Sequence, residues 1–180
     1  FRLGRKDLSG VRIAILGAGA VGMELARLLN AAGAALTVAD VNEAAVAEAC
    51  RRFGATAVSP ADCVAAEVDV FAPCALGGAI NAESIERLTA PIVAGAANNQ
   101  LATPDMDAAL MTKGVLYAPD YVINAAGVIS VGLEILGTWN AQDLGRRIDS
   151  IGDTLTAIFE RSERENRPTG AIADAMAMDI

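Results

Sequence analysis

The chain has 180 residues, 53% of them hydrophobic, with 22 acidic residues against 14 basic and a formal net charge of -8. That length suits one core with a modest appendage, and a mean hydropathy of +0.39 allows a large interior, yet no apolar run approaches the roughly 18 to 20 residues of a membrane span. The acidic balance offers no basic field to nucleic acid or to an anionic membrane, and a histidine count of zero excludes Ser/His/Asp triads, histidine-bearing zinc sites and an imidazole base.

Residues 1–10, FRLGRKDLSG, lack the apolar centre and small-residue cleavage site of a signal peptide, so a linker or hinge and a cytoplasmic location are expected. Val11 to Leu16 reads as a short apolar strand, followed by glycines and a helical pattern from Ala20 to Ala32 that Gly33 is placed to end. Ala35 to Ala39 is a second strand. Asn42 can cap a helix running to about Phe53, with Gly54 as its terminator. Further strands are predicted at Thr56–Val58, Val68–Ala72, Pro91–Ala94 and Val115–Ala118, with helices near Ala82–Leu88 and Pro104–Lys113 between them. The strands are mostly continuous apolar runs rather than alternating ones, as expected when helices cover both faces of a parallel sheet. The fold class is therefore α/β, a doubly wound and mostly parallel sheet over residues 11–137.

After Pro119 the texture becomes helical, from about Tyr121 to Leu136, broken at Gly137, then from about Ala141 to Arg164. In the second stretch Leu144, Ile148, Ile151, Leu155 and Ile158 recur at spacings of four, three, four and three, one apolar stripe that needs something to pack on. A short helix is predicted after Pro168, with Met176 and Met178 as packing residues. Residues 138–180 are thus expected as C-terminal helices packed on the same domain. Cys50, Cys63 and Cys74 are odd in number and lie in apolar surroundings without CxxC spacing, which points to reduced thiols and not to disulfides or a metal site.

The segment LGAGAVG puts Gly17, Gly19 and Gly22 in GxGxxG spacing between a strand and a helix. In that setting Gly17 permits the tight turn, Gly19 lets backbone approach a pyrophosphate, and Gly22 lets the helix pack close to the strand. The diphosphate would meet the N–H groups of Ala20 and Val21 at the positive end of the helix dipole. Asp40 ends the second strand, 18 residues after Gly22, near the spacing of a carboxylate that binds an adenosine ribose. A carboxylate there repels a 2′-phosphate, so NAD is expected rather than NADP. The competing interpretation is an ordinary strand-to-helix turn, with Asp40 merely opening the turn before Asn42.

An NAD-linked oxidation also needs a group to take a proton. Histidine is absent, and Tyr117 and Tyr121 are followed four residues later by Tyr121 and Ala125, so there is no YxxxK pair. Of the two lysines, Lys6 precedes the first strand and Lys113 reads as a solvated charge at a helix end. The chain has the features of a cofactor holder and lacks those that would complete the reaction.

Four stretches in order, VDVFAPCALGGAIN, IVAGAANNQL, YAPDYVINAAGVI and IGDTL, resemble the cofactor-binding domain of the leucine, phenylalanine and valine dehydrogenases, within the glutamate dehydrogenase superfamily. The resemblance runs from about Leu8 to Pro168. It implies an NAD-dependent oxidative deamination of an L-amino acid to the 2-oxo acid and ammonia. It also implies an N-terminal domain, absent from this chain, that carries two catalytic lysines and an aspartate, and a homo-oligomer for the full-length protein.

By the same resemblance, Asn98 lies beside the nicotinamide ribose and the substrate carboxylate, with Ala96 and Ala97 letting the ribose near the backbone. Asn99 and Gln100 are expected to serve the turn itself. Cys74 and Ala75 would contact the cofactor, Gly77 and Gly78 would allow close backbone passage, and Asn124 would face the nicotinamide amide or the amino acid. Val128 and Val131, one helical turn apart, would line the substrate side-chain pocket, the alternative being ordinary helix core. Ala126 and Ser130 depart from the family's usual glycine and asparagine or histidine, which leaves the preferred amino acid open. A non-catalytic NAD(H)-binding regulatory module is the other function considered. A polar surface beside the cleft would mark such a module, and an apolar one a domain made to meet another.

Overall fold

In a computed structural model that describes residues 1–179, six strands alternate with helices as far as the last strand, and four helices follow, making nine helices along the described chain. They are β1 (Arg12–Leu16), α1 (Ala20–Ala31), β2 (Ala35–Ala39), α2 (Glu43–Phe53), β3 (Thr56–Ala57), α3 (Pro60–Val64), β4 (Val70–Pro73), α4 (Ala82–Arg87), β5 (Ile92–Val93), α5 (Asp105–Thr112), β6 (Leu116–Tyr117), α6 (Asp120–Ile123), α7 (Ala126–Ile135), α8 (Ala141–Glu165) and α9 (Thr169–Met178). Ile180, the last residue of the expected C-terminal segment, lies outside the described residues.

All strand pairs are parallel, in the order β3-β2-β1-β4-β5-β6. The chain reverses its winding between β1 and β4, so their carboxyl ends open a crevice at the switch point, where doubly wound sheets bind ligands. Alternate residues of β1 feed two cores: Ala14 joins Phe71, Ile80, Leu110 and Val93 on one side, while Ile13 and Ile15 join Ala26, Leu36, Val38 and Ala49 on the other. A sheet buried on both faces has no polar side to alternate with, which is why its strands read as continuous apolar runs.

The local signals act where the sequence puts them. Asn42 Oδ1 accepts from Ala44 N and Ala45 N at the start of α2, and Gly54 ends it in a left-handed turn. Strand and helix boundaries shift by a residue or two. Two departures are larger. Residues 60–64, after the Ser59 cap, form α3, too short to show a helical period. The expected helix 121–136 is two, α6 and α7, because Asn124 and Ala125 interrupt it.

The apolar stripe of α8 is fully buried only at its C-terminal end, Leu144, Ile151 and Leu155 being half-buried. Ile158 and Phe159 are buried with Leu116, Ala118, Ile172 and Ala173, seating α8 and α9 against the β6 edge, whereas Ile148 is exposed. Phe1 packs on Phe159 with ring centroids 5.5 Å apart, so the N-terminal segment returns to the same helix. Met176 packs in this cluster, but Met178 is exposed, because its position on the last turn of α9 lies beyond the edge that α9 covers. Lys113 is exposed as expected, yet it is not a free charge at its own helix end. Its Nζ donates to the carbonyls of Ile85 and Glu86, closing the C-terminus of the neighbouring α4. No helix among the described residues is long and apolar enough to cross a membrane.

Candidate functional site

The switch-point crevice encloses about 610 Å³ and is lined by the ends of β1, β2 and β4 and the loops that follow them, including Gly17, Gly19, Asp40, Cys74, Ala75 and Gly77. Its floor depends on glycine. Gly17 has φ +111°, and a Cβ there would lie 2.6 Å from Ala75 N; a Cβ on Gly22 would lie 1.9 Å from Gly17 O. Both positions therefore forbid side chains, the first through the turn and the crossing β4 loop, the second through helix-to-strand contact. Gly19 differs: a Cβ there meets nothing within 4 Å. Its value is the open space above the backbone.

Behind Gly19, α1 begins with no side-chain cap and no acidic residue in its first turn. The N–H groups of Ala20, Val21 and Gly22 precede the first intrahelical donor, Met23, so they are free to face an anion. Asp40 sits across the crevice mouth. Its Oδ2 accepts from Ala18 N at 2.5 Å and its Oδ1 from Asn42 N at 2.8 Å. The carboxylate thus holds the glycine loop to the end of β2. Each oxygen keeps a further lone pair for a hydroxyl donor.

Cys74 closes β4 and is half-buried; burial holds its thiol above the ordinary value, and pushes that of Cys63 up to about 12. Both are thiols at neutral pH, and Cys50, Cys63 and Cys74 are all free. Gly77 is crowded by protein, not open: a Cβ there would lie 2.8 Å from Asn99 O. The loop after β4 is thereby tied to the loop after β5, with Gly78 N donating to Asn99 O at 2.8 Å and Ile80 N to Gln100 O at 2.9 Å.

The turn 94–101 answers for its three carboxamides separately. Gln100 is fully buried, and its Nε2 donates to Gly95 O (2.8 Å) and Ala97 O (3.0 Å); its Oε1 is the one buried side-chain polar atom without a partner among the described residues. Asn99 takes a left-handed backbone, φ 52°. Asn98 and Asn99 are both exposed, and Asn98 pairs with Asn124, whose Nδ2 donates to its Oδ1. Ala96 is half-buried and Ala97 buried, so the small residue nearest solvent there is Ala96.

Three residues that sequence reasoning missed brace this turn. Asp120, buried at the start of α6, accepts from Gln100 N at 2.8 Å, and Tyr117 Oη accepts from Asp120 N at 3.2 Å. Gly95 lies so close to β4 that a Cβ would be 2.2 Å from Pro73 O. An acid directly after the apolar YAP run was the available signal for Asp120; nothing local marks Gly95. On α7, Val128 is 71% and Val131 52% exposed. They are not helix core, and the switch-point crevice does not include them. The face continues through exposed Ile135, Leu136 and Trp139.

A strand order of 3-2-1-4-5-6, a glycine turn under an open helix N-terminus and an acid closing β2 define a Rossmann-type α/β domain. Comparison with known proteins takes this further. The model of the glutamate/leucine/phenylalanine/valine dehydrogenases matches residues 41–179. A leucine dehydrogenase of Geobacillus stearothermophilus is 44% identical over 174 residues, covering 97% of this chain and 47% of that protein. The crystal structure of L-tryptophan dehydrogenase from Nostoc punctiforme superposes with a TM-score of 0.95 at 42% identity, over 99% of this chain and 53% of that one. The hetero-hexameric glutamate dehydrogenase from Thermus thermophilus gives 0.71 at 25% identity, over 96% and 46%. The chain belongs to the glutamate/leucine/phenylalanine/valine dehydrogenase family. It spans about half the length of the curated relatives it matches.

Proposed function

We propose that this chain is the NAD-binding half of an L-amino acid dehydrogenase that converts an amino acid, NAD⁺ and water to a 2-oxo acid, NADH, ammonium and a proton. The observation that carries the reading is the uncapped start of α1 opening on the crevice that Asp40 bounds. The residues fit a dinucleotide: the N–H groups of Ala20, Val21 and Gly22 would hold the diphosphate over Gly19, and Asp40 would accept from the adenosine ribose. A second negative group on that ribose would face the Asp40 carboxylate, which favours NAD over NADP.

Ala75, beside Gly17, and Cys74 would line the middle of the cofactor, and Asn98, Asn124 and Ala96 its nicotinamide end. Bound there, NAD would supply the hydride acceptor for the α-carbon. This chain would position that end and exclude water; the proton transfers would fall to lysines of the other half. Neither Lys6 nor Lys113 lines the crevice, and Lys113 is engaged on α4.

The exposed Val128, Val131 and Ile135 face supports a domain built to meet another rather than a self-sufficient regulatory module, and would offer an aliphatic wall to the substrate side chain. NADH titration of the 180-residue chain by fluorescence should saturate, with no turnover of leucine, valine or tryptophan. Asp40→Ala should weaken NADH about tenfold, roughly 1.4 kcal/mol, and narrow the preference for NADH over NADPH. Equal affinity of wild type and variant for NADH would remove the ribose assignment.

A further inference from the structure

One wall of the crevice is a single loop, residues 74–79, between β4 and α4. It contains no helix or strand. At its start Cys74 N donates to Leu16 O at 2.7 Å; at its far end Gly78 N donates to Asn99 O at 2.8 Å, and the next residue, Ile80, donates its N–H to Gln100 O at 2.9 Å. Ile80 is buried and forms an isolated parallel bridge with Leu101. Between these ties Gly77 lies against the same turn, where a Cβ would come 2.8 Å from Asn99 O and 3.1 Å from Asn98 O. The wall therefore stands where the turn after β5 puts it.

Gln100 is what fixes that turn. It is fully buried and is not among the residues that line the crevice. Its N–H donates to Asp120 Oδ2 at 2.8 Å, its carbonyl accepts from Ile80 of the wall, and its Nε2 donates to Gly95 O at 2.8 Å and Ala97 O at 3.0 Å. The two carbonyls require the nitrogen between them, which sets the sense of the amide. Gln100 Oε1 has no partner among the described residues, so the side chain serves the turn through its two donations alone. Without them two inward carbonyls lose their donor, and an unmet buried acceptor is costly enough for the turn to shift.

We propose that Gln100 is a positioning residue for the crevice: its buried carboxamide holds the turn on which residues 74–79 lean, and so sets how closely that wall fits a dinucleotide. The proposal rests on the dinucleotide reading above. A wall already in place loses less freedom when the ligand arrives, so loosening it lowers affinity without removing any contact of Gln100 with the ligand.

Gln100→Met in the 180-residue chain tests this, because methionine keeps the length of the side chain, removes both donations and gives up no acceptor in use. In the ligand-free chain, hydrogen exchange at Gly78 N and Ile80 N should quicken about tenfold, while Gly17 N, bonded to Ala39 O on the β2 side, should keep its rate. NADH should bind about fivefold more weakly, the scale of one lost hydrogen bond. Ile158→Val, a truncation of similar cost in the buried cluster under α8, should leave NADH affinity as it is. An equal loss there would show that any softening of the fold suffices, and would overturn the proposal.

Gly77→Ala displaces the same wall without altering Gln100, and keeps the wall's role open to refutation should Gln100→Met fail to fold; it too should weaken NADH. Unchanged exchange at Gly78 and Ile80 in Gln100→Met, or NADH affinity indifferent to either variant, would each refute the positioning role while leaving the dinucleotide reading intact. A wild-type chain that binds no NADH would instead sink the dinucleotide reading, and the role of Gln100 in affinity with it, even if the variant showed the faster exchange.

Discussion

The crevice end of the sheet and the α7 arm are built on opposite terms. At the crevice, backbone packs on backbone: Gly17, Gly22 and Gly95 each sit where a Cβ would come within 2.6 Å of another main-chain atom. Asp40, Gln100 and Asp120 meanwhile spend their side chains on main-chain groups. On α7 the apolar side chains Val128, Val131, Ile135 and Leu136 stand half or more in solvent, and Leu133 is the one buried residue of that helix. At those three glycines the first region tolerates no added atom. The second tolerates change within this chain, because its apolar surface faces nothing described in it.

That contrast can be broken most severely at Gly22. Gly22→Val forces a branched side chain against Gly17 O, 1.9 Å from the first added carbon. Overpacking of this kind costs about 3 kcal/mol or more, read as a large fall in melting temperature together with loss of NADH binding. A variant that melts like wild type would show that α1 can move off the sheet.

A middle effect lies at the seam between the sheet and the C-terminal helices. Asp107 on α5 accepts from Gly170 N at 2.9 Å and Ala171 N at 3.3 Å, capping α9 from 63 and 64 residues away. Asp107→Ala should cost about 1 kcal/mol, the usual loss for an N-terminal cap. Burial, outweighing the hydrogen bonds from Ala171, Gly170 and Thr169, holds this carboxyl above the ordinary carboxylate range. A raised carboxyl pKa makes the native state bind the proton more readily than the unfolded chain, so its contribution is greatest at low pH and is lost as pH rises through the native value. Melting curves should therefore show wild type gaining on Asp107→Asn, which does not titrate, as pH falls from neutrality. A gap independent of pH would refute the burial argument.

The smallest effect is expected on the arm. Ile135→Ser, at a residue 80% exposed, should change stability by no more than about 0.5 kcal/mol and leave NADH affinity alone. A large loss would mean that the face is covered within this chain or by a second copy of it, which sedimentation would reveal.

Much of the site was legible because its chemistry is local. A glycine spacing after an apolar strand, an acid closing the next strand and an asparagine before a helix are each local signals, and all three stand at the element ends where they were expected. Gly77 shows the limit. Its glycine was expected to allow close backbone passage, but the backbone it lies against is that of Asn99, 22 residues on. Gly95 was not legible, since it matters through Pro73 on another strand. The split of residues 121–136 into α6 and α7 was hidden for a related reason: apolar periodicity continues across the break that brings Asn124 back to Asn98.

By itself the sequence determined the parallel α/β class, the alternation of strands and helices, and the family, because hydrophobic period, turn chemistry and ordered motifs are written along one dimension. The tertiary structure alone decided that Gln100 is fully buried, that Val128 and Val131 lie open, and that the α8 stripe is fully buried only toward its end. Burial and amide polarity depend on neighbours brought together from distant parts of the chain, and no short window of sequence contains both members of such a pair.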